Sequence, residues 1–595
     1  QMKRYRFLGN VYGEYELYKD LKLKTNFGVD FNSYSRSYYR PSTLPTSLDR
    51  VPPSVPEGSK RDKNMLNWVW ENTLSYVKIF KQDHHLSAVA GWSAQKESAN
   101  TSLIAGNGYP NDLVHTINAA SAITNWSATA YEWSLLSALA RAQYSYKGKY
   151  MLSAAVRADG SSRFGKNNRW GTFPSVSAGW YVSEEDFMKN LNWLSSLKLR
   201  ASYGVSGNFN IGNYDYYATL SEDNYVYGKN DGTLANGLYP STAGNPDLGW
   251  EKTAMLNLGL EFGLFNMFTF ELDWYTSTTS DMLLDVPVAE FSGFSTIPMN
   301  IGKVSNKGIE FSLATTNKWG DFTWNNRFNI SANRNEVVDL GGAEEMLTTT
   351  ESVTFITKVG EPIGNYYTLV TDGVFANQAE IDNSKDPDKT KRKYAYVEGA
   401  KPGDFRYKDI DGNGEINEND RTITGNYMPK FTYGFSTEMK YKNLDLAVSL
   451  QGVQGNKIAN IFRRYIDNME GGNNCQIDAL DRWVSEDNPG SGLVVRANRS
   501  ATGMNGTTST WHIEDGSYLR IKNITLGYTL PKDWLSNVGI NHLRVYLSTQ
   551  NPFTFTKYSG YNPEVNMKGN SLTPGIDYGT YPLAKSFVFG LNVTF

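Results

Sequence analysis

The residues best placed to do chemistry form one short acidic stretch, Asp409-Ile-Asp411-Gly-Asn413-Gly-Glu415-Ile-Asn-Glu-Asn-Asp420. Oxygen-bearing side chains recur at alternate positions, a glycine occupies the sixth position and a carboxylate closes the twelfth. This is the spacing of a calcium loop, in which Ca²⁺ takes hard oxygen ligands. Asp409, Asp411 and Asn413 are predicted to offer side-chain oxygens. Glu415 would offer its backbone carbonyl, and Asp420 the closing carboxylate.

The same stretch also has a plainer interpretation, as a turn whose Gly, Asn and Asp residues satisfy their own backbone groups. The aspartate at the twelfth position is shorter than the usual glutamate, and no helices are predicted on either side of the loop. Both interpretations stay open from the sequence. We expect that activity requires no cofactor. Residues 409–420 are a candidate structural Ca²⁺ site.

The other reactive residues do not assemble into a catalytic motif. Asp159-Gly-Ser161-Ser-Arg163 resembles a catalytic serine turn only superficially, because no strand-to-helix context or histidine partner accompanies it. With five His and a single Cys, Cys475, the sequence offers no internal disulfide and no zinc-binding spacing. A formal net charge of -3 gives no electrostatic footprint for nucleic acid. We predict that the protein is not an enzyme and does not bind nucleic acid.

Composition favours a membrane sheet over membrane helices. The mean hydropathy of -0.48 leaves no room for apolar runs of ~18 residues. A polar average is compatible with a membrane barrel, whose strands turn alternate polar residues toward a wet lumen. Aromatic residues make up 14% of the chain, including 38 Tyr and 15 Trp, which suits two aromatic girdles at the membrane surfaces.

Strict alternation of apolar and polar residues recurs along the chain. Apolar Leu197, Leu199, Ala201 and Tyr203 alternate with polar Lys198, Arg200 and Ser202, and residues 444–451 and 542–548 repeat the pattern. Many strands of roughly 10–17 residues are predicted, the length of tilted membrane strands and longer than the ~5–6 residues usual in soluble sandwiches. We predict that the apolar side chains face lipid and the polar ones the lumen. A phase switch near Asn523 predicts a β-bulge.

The predicted connections alternate between very short and very long. Short ones include Lys19-Asp20, Lys147-Gly148, Phe265-Asn266, Trp319-Gly320 and Lys442-Asn443, and long ones span about 38–64, 97–127, 207–249, 338–428 and 458–516. An outer-membrane barrel has short periplasmic turns and long extracellular loops. Residues 338–428, which carry the calcium-type motif, and residues 458–516 are therefore predicted to be extracellular.

The number of strands predicts a barrel portion. Counting back from the strand that ends at Phe595 gives about 17 strands, the first near residues 3–17. A closed bacterial barrel has an even number, so an odd number is expected to precede residue 1. Five more would give about 22, the size of plugged transporters. The expectation is an all-β transmembrane antiparallel barrel with about 17 of 22 strands. Residues 1–595 would form its C-terminal portion, without the N-terminal plug.

Several stretches, in order along the whole chain, carry a family signature. They are Arg157-Ala-Asp-Gly-Ser-Ser-Arg163-Phe-Gly, Asn168-Arg-Trp170-Gly-Thr-Phe-Pro174, Leu197-Lys-Leu-Arg-Ala-Ser-Tyr203-Gly, Asn245-Pro-Asp-Leu-Gly-Trp250-Glu, Asn300-Ile-Gly-Lys-Val-Ser-Asn306-Lys-Gly-Ile-Glu310, Tyr518-Leu-Arg-Ile-Lys-Asn523 and Thr556-Lys-Tyr558-Ser-Gly-Tyr561-Asn-Pro563-Glu. Together they resemble the SusC/RagA family of TonB-dependent outer-membrane transporters. The resemblance implies a 22-stranded barrel occluded by an N-terminal plug, a SusD-like surface lipoprotein that lids the barrel, and TonB as the source of energy.

Two function classes follow. The leading hypothesis is TonB-dependent import of a large nutrient, an oligosaccharide or an oligopeptide, across the cell outer membrane. Its partners would be the SusD-like lipoprotein, TonB through the missing N-terminal region, and membrane lipid. The alternative is a surface glycan-binding or adhesin barrel without transport. Substrate-binding residues are not identified, because loop aromatics serve girdles and loop cores as well as ligands.

Overall fold

The computed structural model describes residues 1–595 except 46–51, 228–231, 389, 471–472, 500–502, 536–538 and 568. Strands predominate, as predicted. The α-helices in the described ranges are Gln378–Ser384, Arg463–Ile466 and Lys532–Leu535. Short 3₁₀ turns lie at Ile117–Ala119, Val182–Glu184, Glu290–Ser292, Glu418–Asp420, Ile477–Asp481 and Thr510–His512. In the described part of the chain, no helix is long and apolar enough to cross a membrane.

Seventeen long strands occur among the described residues, the number that the sequence predicts. In chain order they are Met2–Tyr18, Leu21–Arg40, Glu57–Phe80, His84–Asn107, Ala122–Tyr146, Tyr150–Ser161, Trp170–Tyr181, Leu194–Asn208, Glu251–Leu264, Phe268–Ser280, Lys303–Trp319, Phe322–Asp339, Phe431–Tyr441, Leu444–Gln454, Tyr518–Thr529, His542–Thr556 and Ser586–Thr594.

Shorter strands lie in the connections between the long ones. They are Leu220–Tyr227, Thr233–Pro240, Leu283–Pro287, Thr296–Asn300, Glu345–Thr350, Val353–Lys358, Asn365–Thr368, Thr371–Val374, Phe405–Tyr407, Thr422–Gly425, Lys457–Asn460, Ile513–Asp515 and Ile576–Asp577. Most pair as small antiparallel sheets, such as the hairpin of Leu220–Tyr227 with Thr233–Pro240. The long connections are therefore structured segments with ladders of their own.

The first of two compact units comprises Gln1–Tyr181, Arg200–Leu256 and Thr279–Ile301. Its strands pair as antiparallel neighbours over long unbroken registers, for example from Leu21 opposite Tyr76 to Arg40 opposite Glu57. These ladders shorten the loops predicted at 38–64 and 97–127 to 41–56 and 108–121. The strand ends are rich in polar residues on both faces, so the apolar alternation fades while the backbone ladder continues.

The second unit comprises Val182–Leu199, Asn257–Thr278 and Gly302–Phe595. From Lys303 onward, each long strand pairs antiparallel with the next one along the chain. The predicted bulge near Asn523 is confirmed, because the register skips Lys522 against both neighbouring strands. A bulge leaves one residue unpaired. Apolar residues on both sides of it therefore keep facing the same side of the sheet, although their alternation in the sequence shifts by one position.

The long strands are joined alternately by shorter and longer connections, as predicted, with one exception: connection 162–169 stands in a long position but has only eight residues, fewer than the twelve of 182–193 and of 530–541. The short ones are 19–20, 81–83, 147–149, 182–193, 265–267, 320–321, 442–443 and 530–541. The long ones are 41–56, 108–121, 162–169, 209–250, 281–302, 340–430, 455–517 and 557–585. The predicted loops 338–428 and 458–516 correspond to 340–430 and 455–517. The connections at 281–302 and 557–585 were missed by the sequence pattern.

The two faces of the long strands differ in chemistry as the alternation predicts. On one face, Arg544 Nε donates to Asp445 Oδ1 at 2.9 Å, and Lys198 Nζ lies 3.6 Å from Glu261 Oε1. On the other face, large apolar side chains such as Leu547 stay more than half exposed. Exposed leucines on a regular sheet face are suited to contact with lipid, whereas paired charges suit a wet lumen.

The buried cores of the described residues lie mainly in the long connections. In the first unit, Phe164, Phe173, Leu248 and Trp250 pack together. In the second unit, a larger cluster that includes Phe375, Phe405 and Tyr407 draws its residues from 340–430 and 455–517. These cores give the long connections a fixed structure that can position functional side chains.

Candidate functional sites in the long loops

The acidic stretch 409–420 folds into a tight loop just after the short strand Phe405–Tyr407. It brings together Asp409, Asp411 and Asp420, with one carboxylate oxygen of each within 4.8 Å of the others. Asp420 is fully buried, whereas Asp409 and Asp411 are exposed. Three carboxylates at this spacing repel one another, and a cation between them relieves the repulsion.

Backbone N–H groups of the loop donate to the same carboxylates. Asp409 accepts from Gly412 and Gly414 at 2.7 and 2.8 Å. Asp420 accepts from Ile410 and from Asn417, each at 2.8 Å. Gly412 and Gly414 have φ angles of 73° and 94°, a region that side-chain-bearing residues enter with strain, so glycine is needed at both positions. These hydrogen bonds agree with the turn interpretation as well as with the calcium loop.

The other two predicted ligands, Asn413 and Glu415, lie in the same loop. Asn413 Oδ1 accepts from the Glu415 N–H at 2.7 Å, which uses one of its two lone pairs. Arg392 Nη2 donates to the Asn413 carbonyl at 3.3 Å and places a positive charge at the edge of the loop. The donor set is made only of hard oxygens and fits Ca²⁺, while Arg392 supplies part of the same charge compensation.

A buried ion pair joins this loop to the next long one. Asp404 is fully buried and accepts from Arg496 Nε at 2.8 Å and from Asn505 Nδ2 at 2.9 Å. The three residues are 92 and 101 positions apart, so no local sequence pattern indicates their contact. Connections 340–430 and 455–517 therefore fold as one structure around a shared carboxylate.

His512 lies in the same assembly and is almost fully buried. Its Nδ1 accepts from the Ser509 N–H at 3.2 Å. Burial, reinforced by the positive charges of Arg463 and Arg464, lowers the pKa of His512 to about 3. The imidazole is therefore neutral at physiological pH and serves as a hydrogen-bond acceptor inside the loop structure.

A second buried network ties connection 557–585 to the strand Tyr518–Thr529. Arg520 is 1% exposed, pairs with Glu564, and donates from Nη2 to Asn562 Oδ1 at 2.7 Å. The Tyr518 hydroxyl donates to Glu564 Oε1 at 2.6 Å. These residues belong to the Tyr518-Leu-Arg and Asn562-Pro-Glu signatures. Sequence reasoning found the signatures but assigned them no role, because their partnership exists only in the fold.

The side chains of the Asp159–Arg163 stretch take part in packing and in a local hydrogen bond. Ser161 is fully buried, and its Oγ accepts from the Arg163 N–H at 3.2 Å. The Arg163 guanidinium lies over the rings of Trp133 and Phe209, at 5.0 and 5.2 Å from their centres. A buried serine beneath a stacked arginine is the arrangement of a packed hairpin loop, in agreement with the non-catalytic interpretation.

Comparison with known proteins places this architecture in a family. The family model described as "TonB dependent receptor-like, beta-barrel" matches residues 3–551. The chain is 33% identical to TonB-dependent receptor P3 of Formosa agariphila over 605 residues, which cover 99% of this chain and 58% of that protein. It is also 33% identical to the TonB-dependent receptor SusC of Bacteroides thetaiotaomicron, over 79% of this chain and 44% of SusC.

Among solved structures, the RagAB peptide transporter is similar over the whole of this chain. The TM-score is 0.83 and the sequence identity 28%, and the match covers 62% of the RagAB chain. The chain thus covers 58% of TonB-dependent receptor P3 and 62% of the RagAB chain, somewhat more than half the length of each.

Proposed function

Because the chain belongs to the TonB-dependent receptor β-barrel family of the outer membrane, we propose that it serves to import a large nutrient across that membrane. The cargo is an oligosaccharide or an oligopeptide, and TonB supplies energy through a region outside these residues. A SusD-like surface lipoprotein is the proposed partner at the long loops. The similarity to SusC and to the RagAB peptide transporter supports this proposal.

The observation that carries the proposal is the combination of two-faced strands with packed long connections. Lipid-facing leucines and lumen-facing ion pairs suit a barrel wall, and the cores in 340–430 and 455–517 give the loops a surface able to hold cargo. Neither the periplasm nor the outside supplies ATP, so active uptake through such a wall needs energy from the inner membrane. Coupling through TonB meets that need.

Uptake in whole cells tests this function. Cells with and without the gene would be given fluorescently tagged oligosaccharides and oligopeptides, each in backgrounds with and without TonB. Internal fluorescence that needs both the gene and TonB is the expected result. Surface binding without TonB-dependent accumulation would instead favour the alternative, a glycan-binding or adhesin barrel that does not transport.

We also propose that Ca²⁺ binds residues 409–420 and orders the loop. Support comes from the convergence of Asp409, Asp411 and Asp420 and from the all-oxygen donor set that includes Asn413 and the Glu415 carbonyl. Its role would be structural, because the loop lies within a connection of about ninety residues and a divalent ion can fix such a segment. Weak binding would suffice outside the cell, where sites of 10⁻⁴–10⁻³ M are common.

Calcium-dependent protection from protease tests the site. Residues 409–420 of the wild-type protein should resist cleavage in Ca²⁺ and become sensitive in EGTA, while Asp411→Ala should be sensitive in both. The matched control is Asp478→Ala, which removes an acidic residue from the other long loop. Protection that is unchanged by chelator would leave only the turn interpretation.

A further inference from the structure

A groove of about 530 Å³ lies on one face of five neighbouring strands of the first unit. Its floor is made of alanines that lie opposite one another on adjacent strands, Ala88 with Ala142 and Ala90 with Ala140. Larger side chains on the flanking strands form its walls, namely Leu74, Tyr76 and Val156. The groove is therefore a depression in the sheet face between taller side chains.

The groove opens on the face that is suited to lipid. Ala88 and Ala90 share this face with Trp92, which is 41% exposed. Glu97, on the opposite face of the same strand, accepts from Asn67 Nδ2 at 3.0 Å, as expected of a lumen-facing pair. Because the interior of a membrane leaves no empty space against a lipid-facing wall, an acyl chain or another apolar surface must cover the alanines.

Two lysines lie on the same face, toward the short turns. Lys78 is two residues beyond Tyr76 in the same strand, which is about 7 Å further along it. Its Nζ lies 5.2 Å from the centre of the Phe80 ring. Lys147, in a short turn, places its Nζ 5.4 Å from the centre of the Tyr146 ring. Short turns of outer-membrane barrels are periplasmic, so both ammonium groups are expected at the level of the periplasmic headgroups.

The protein compensates these two positive charges only weakly. In the described part of the chain, no carboxylate forms an ion pair with Lys78. Lys147 Nζ lies 4.0 Å from Asp83 Oδ2, at the outer limit of an ion pair, and both side chains are about half exposed. The strand between the two lysines presents His84, whose Nδ1 lies 2.6 Å from the Tyr144 hydroxyl. A negative group above this strand would therefore lie between two ammonium groups.

A second copy of the chain matches this face less well than a phospholipid does. Two copies with the same orientation in one membrane are related by an axis along the membrane normal, so each residue meets residues of the other copy at the same depth. Contact through the groove would bring Lys78 and Lys147 of both copies together, and like charges repel. A phospholipid instead places hydrocarbon at the groove and a negative phosphate at the lysines.

We propose that the groove and the two lysines form a binding site for an anionic phospholipid. An acyl chain lies over the alanines, and the phosphate lies between Lys78 and Lys147. The inference goes beyond nutrient import and needs only the membrane location of the barrel. Lysines at the rim of any barrel reach toward headgroups, so a built site is distinguished by its dependence on the groove as well as on the charge.

Native mass spectrometry of the full-length protein in mild detergent tests the site by titration with dioleoylphosphatidylglycerol or dioleoylphosphatidylcholine. Wild type should bind the anionic lipid about twentyfold more tightly than the zwitterionic one, and Lys78→Gln only about fivefold more tightly, because each lysine near a headgroup contributes about a factor of five. Ala142→Phe fills the floor of the groove and should weaken the binding of both lipids about tenfold through lost packing.

Two matched variants control for general changes at the lipid-facing wall. Lys442→Gln removes another lysine beside an aromatic ring, since Lys442 Nζ lies 5.6 Å from the centre of the Tyr441 ring. Ala201→Phe adds the same ring at an exposed position on the apolar face of the strand Leu194–Asn208. Both controls should bind the two lipids as wild type does. Thermal unfolding reports whether each variant is folded.

Several outcomes would overturn the site. They are equal affinity of the wild type for the two lipids, unchanged binding in folded Lys78→Gln or folded Ala142→Phe, and a matching loss in either control. A lipid-free dimer that Ala142→Phe dissociates would show that a second copy of the chain covers the groove instead.

Discussion

Buried polar side chains in the long loops depend on partners that fix their protonation state. His512 is held neutral by burial and by nearby arginines, with its pKa lowered to about 3 against an ordinary value near 6.5. Between these two pH values the unfolded chain binds a proton that the folded chain does not. Stability from this residue is therefore present above pH 6.5 and declines as the pH falls toward 3.

We predict that His512→Asn reduces the acid sensitivity of the loop assembly. Asparagine can still accept from the Ser509 N–H, but it does not titrate. Between pH 7 and pH 4.5, the thermal unfolding temperature should fall less for the variant than for wild type. The change in the variant is compared with the change in wild type, because other groups titrate in both proteins. Equal drops would mean that His512 is protonated in the folded loop.

The face of a strand residue should decide how well it tolerates a charge. Leu199 is 42% exposed on the apolar face of the strand Leu194–Asn208, and Ser202 lies on the polar face. We predict that Leu199→Arg lowers folding stability by up to ~2–4 kcal/mol, less if the position is near an interface, whereas Ser202→Arg has little effect. Refolding yield into lipid vesicles measures the difference. A larger loss for Ser202→Arg would reverse the assigned faces.

At the scale of elements, the anchoring of connection 557–585 rests on Arg520. Its guanidinium is buried among Glu564, Asn562 and Thr554. Removing one member of a buried ion pair leaves the other charge uncompensated. We expect the loss of Arg520 to lower folding stability by about 3 kcal/mol. This is the low end of the range for buried pairs, because Glu564 keeps 31% of its side chain exposed.

We therefore predict that Arg520→Met increases hydrogen exchange in residues 557–585 while the long strands stay protected. The control is Lys358→Met, which breaks an exposed ion pair with Glu345 at 3.0 Å and should change little. Similar exchange in wild type and Arg520→Met would show that the loop is held by its apolar contacts instead.

The sequence predicts elements well where their cause is local. Alternation of neighbours gives the strands and their faces, and the loss of phase near Asn523 gives the bulge at Lys522. Turn residues give five of the short connections, which are 19–20, 147–149, 265–267, 320–321 and 442–443. Connection 281–302, which contains the hairpin of Leu283–Pro287 with Thr296–Asn300, was not predicted.

Contacts between distant residues are not predictable in this way. Asp404 meets Arg496 across 92 positions, and Arg520 meets Glu564 across 44. In the acidic loop, by contrast, spacing alone named Asp409, Asp411 and Asp420, which do converge, because they lie within twelve positions.

For the whole molecule, the alternation of connections predicts which side of the membrane each one occupies. Eight long connections alternate with eight short ones, so all the long ones must lie on one side if each long strand crosses once. In bacterial outer-membrane barrels, long loops are extracellular and short turns are periplasmic. Connection 455–517, which carries the exposed Cys475, should then lie outside the cell, and the turn at residues 19–20 inside.

The sole cysteine in these residues makes this topology measurable on intact cells. A membrane-impermeant maleimide should label the wild-type protein at Cys475, and Cys475→Ser should abolish that labelling. In the Cys475→Ser background, Lys19→Cys should react only after the outer membrane is permeabilised, because a periplasmic turn is shielded by the membrane. A cysteine at Asn474 in the same background controls for expression and reactivity. Labelling of Lys19→Cys on intact cells would show that the chain is inserted with the opposite orientation, and the loop with the acidic site would then face the periplasm.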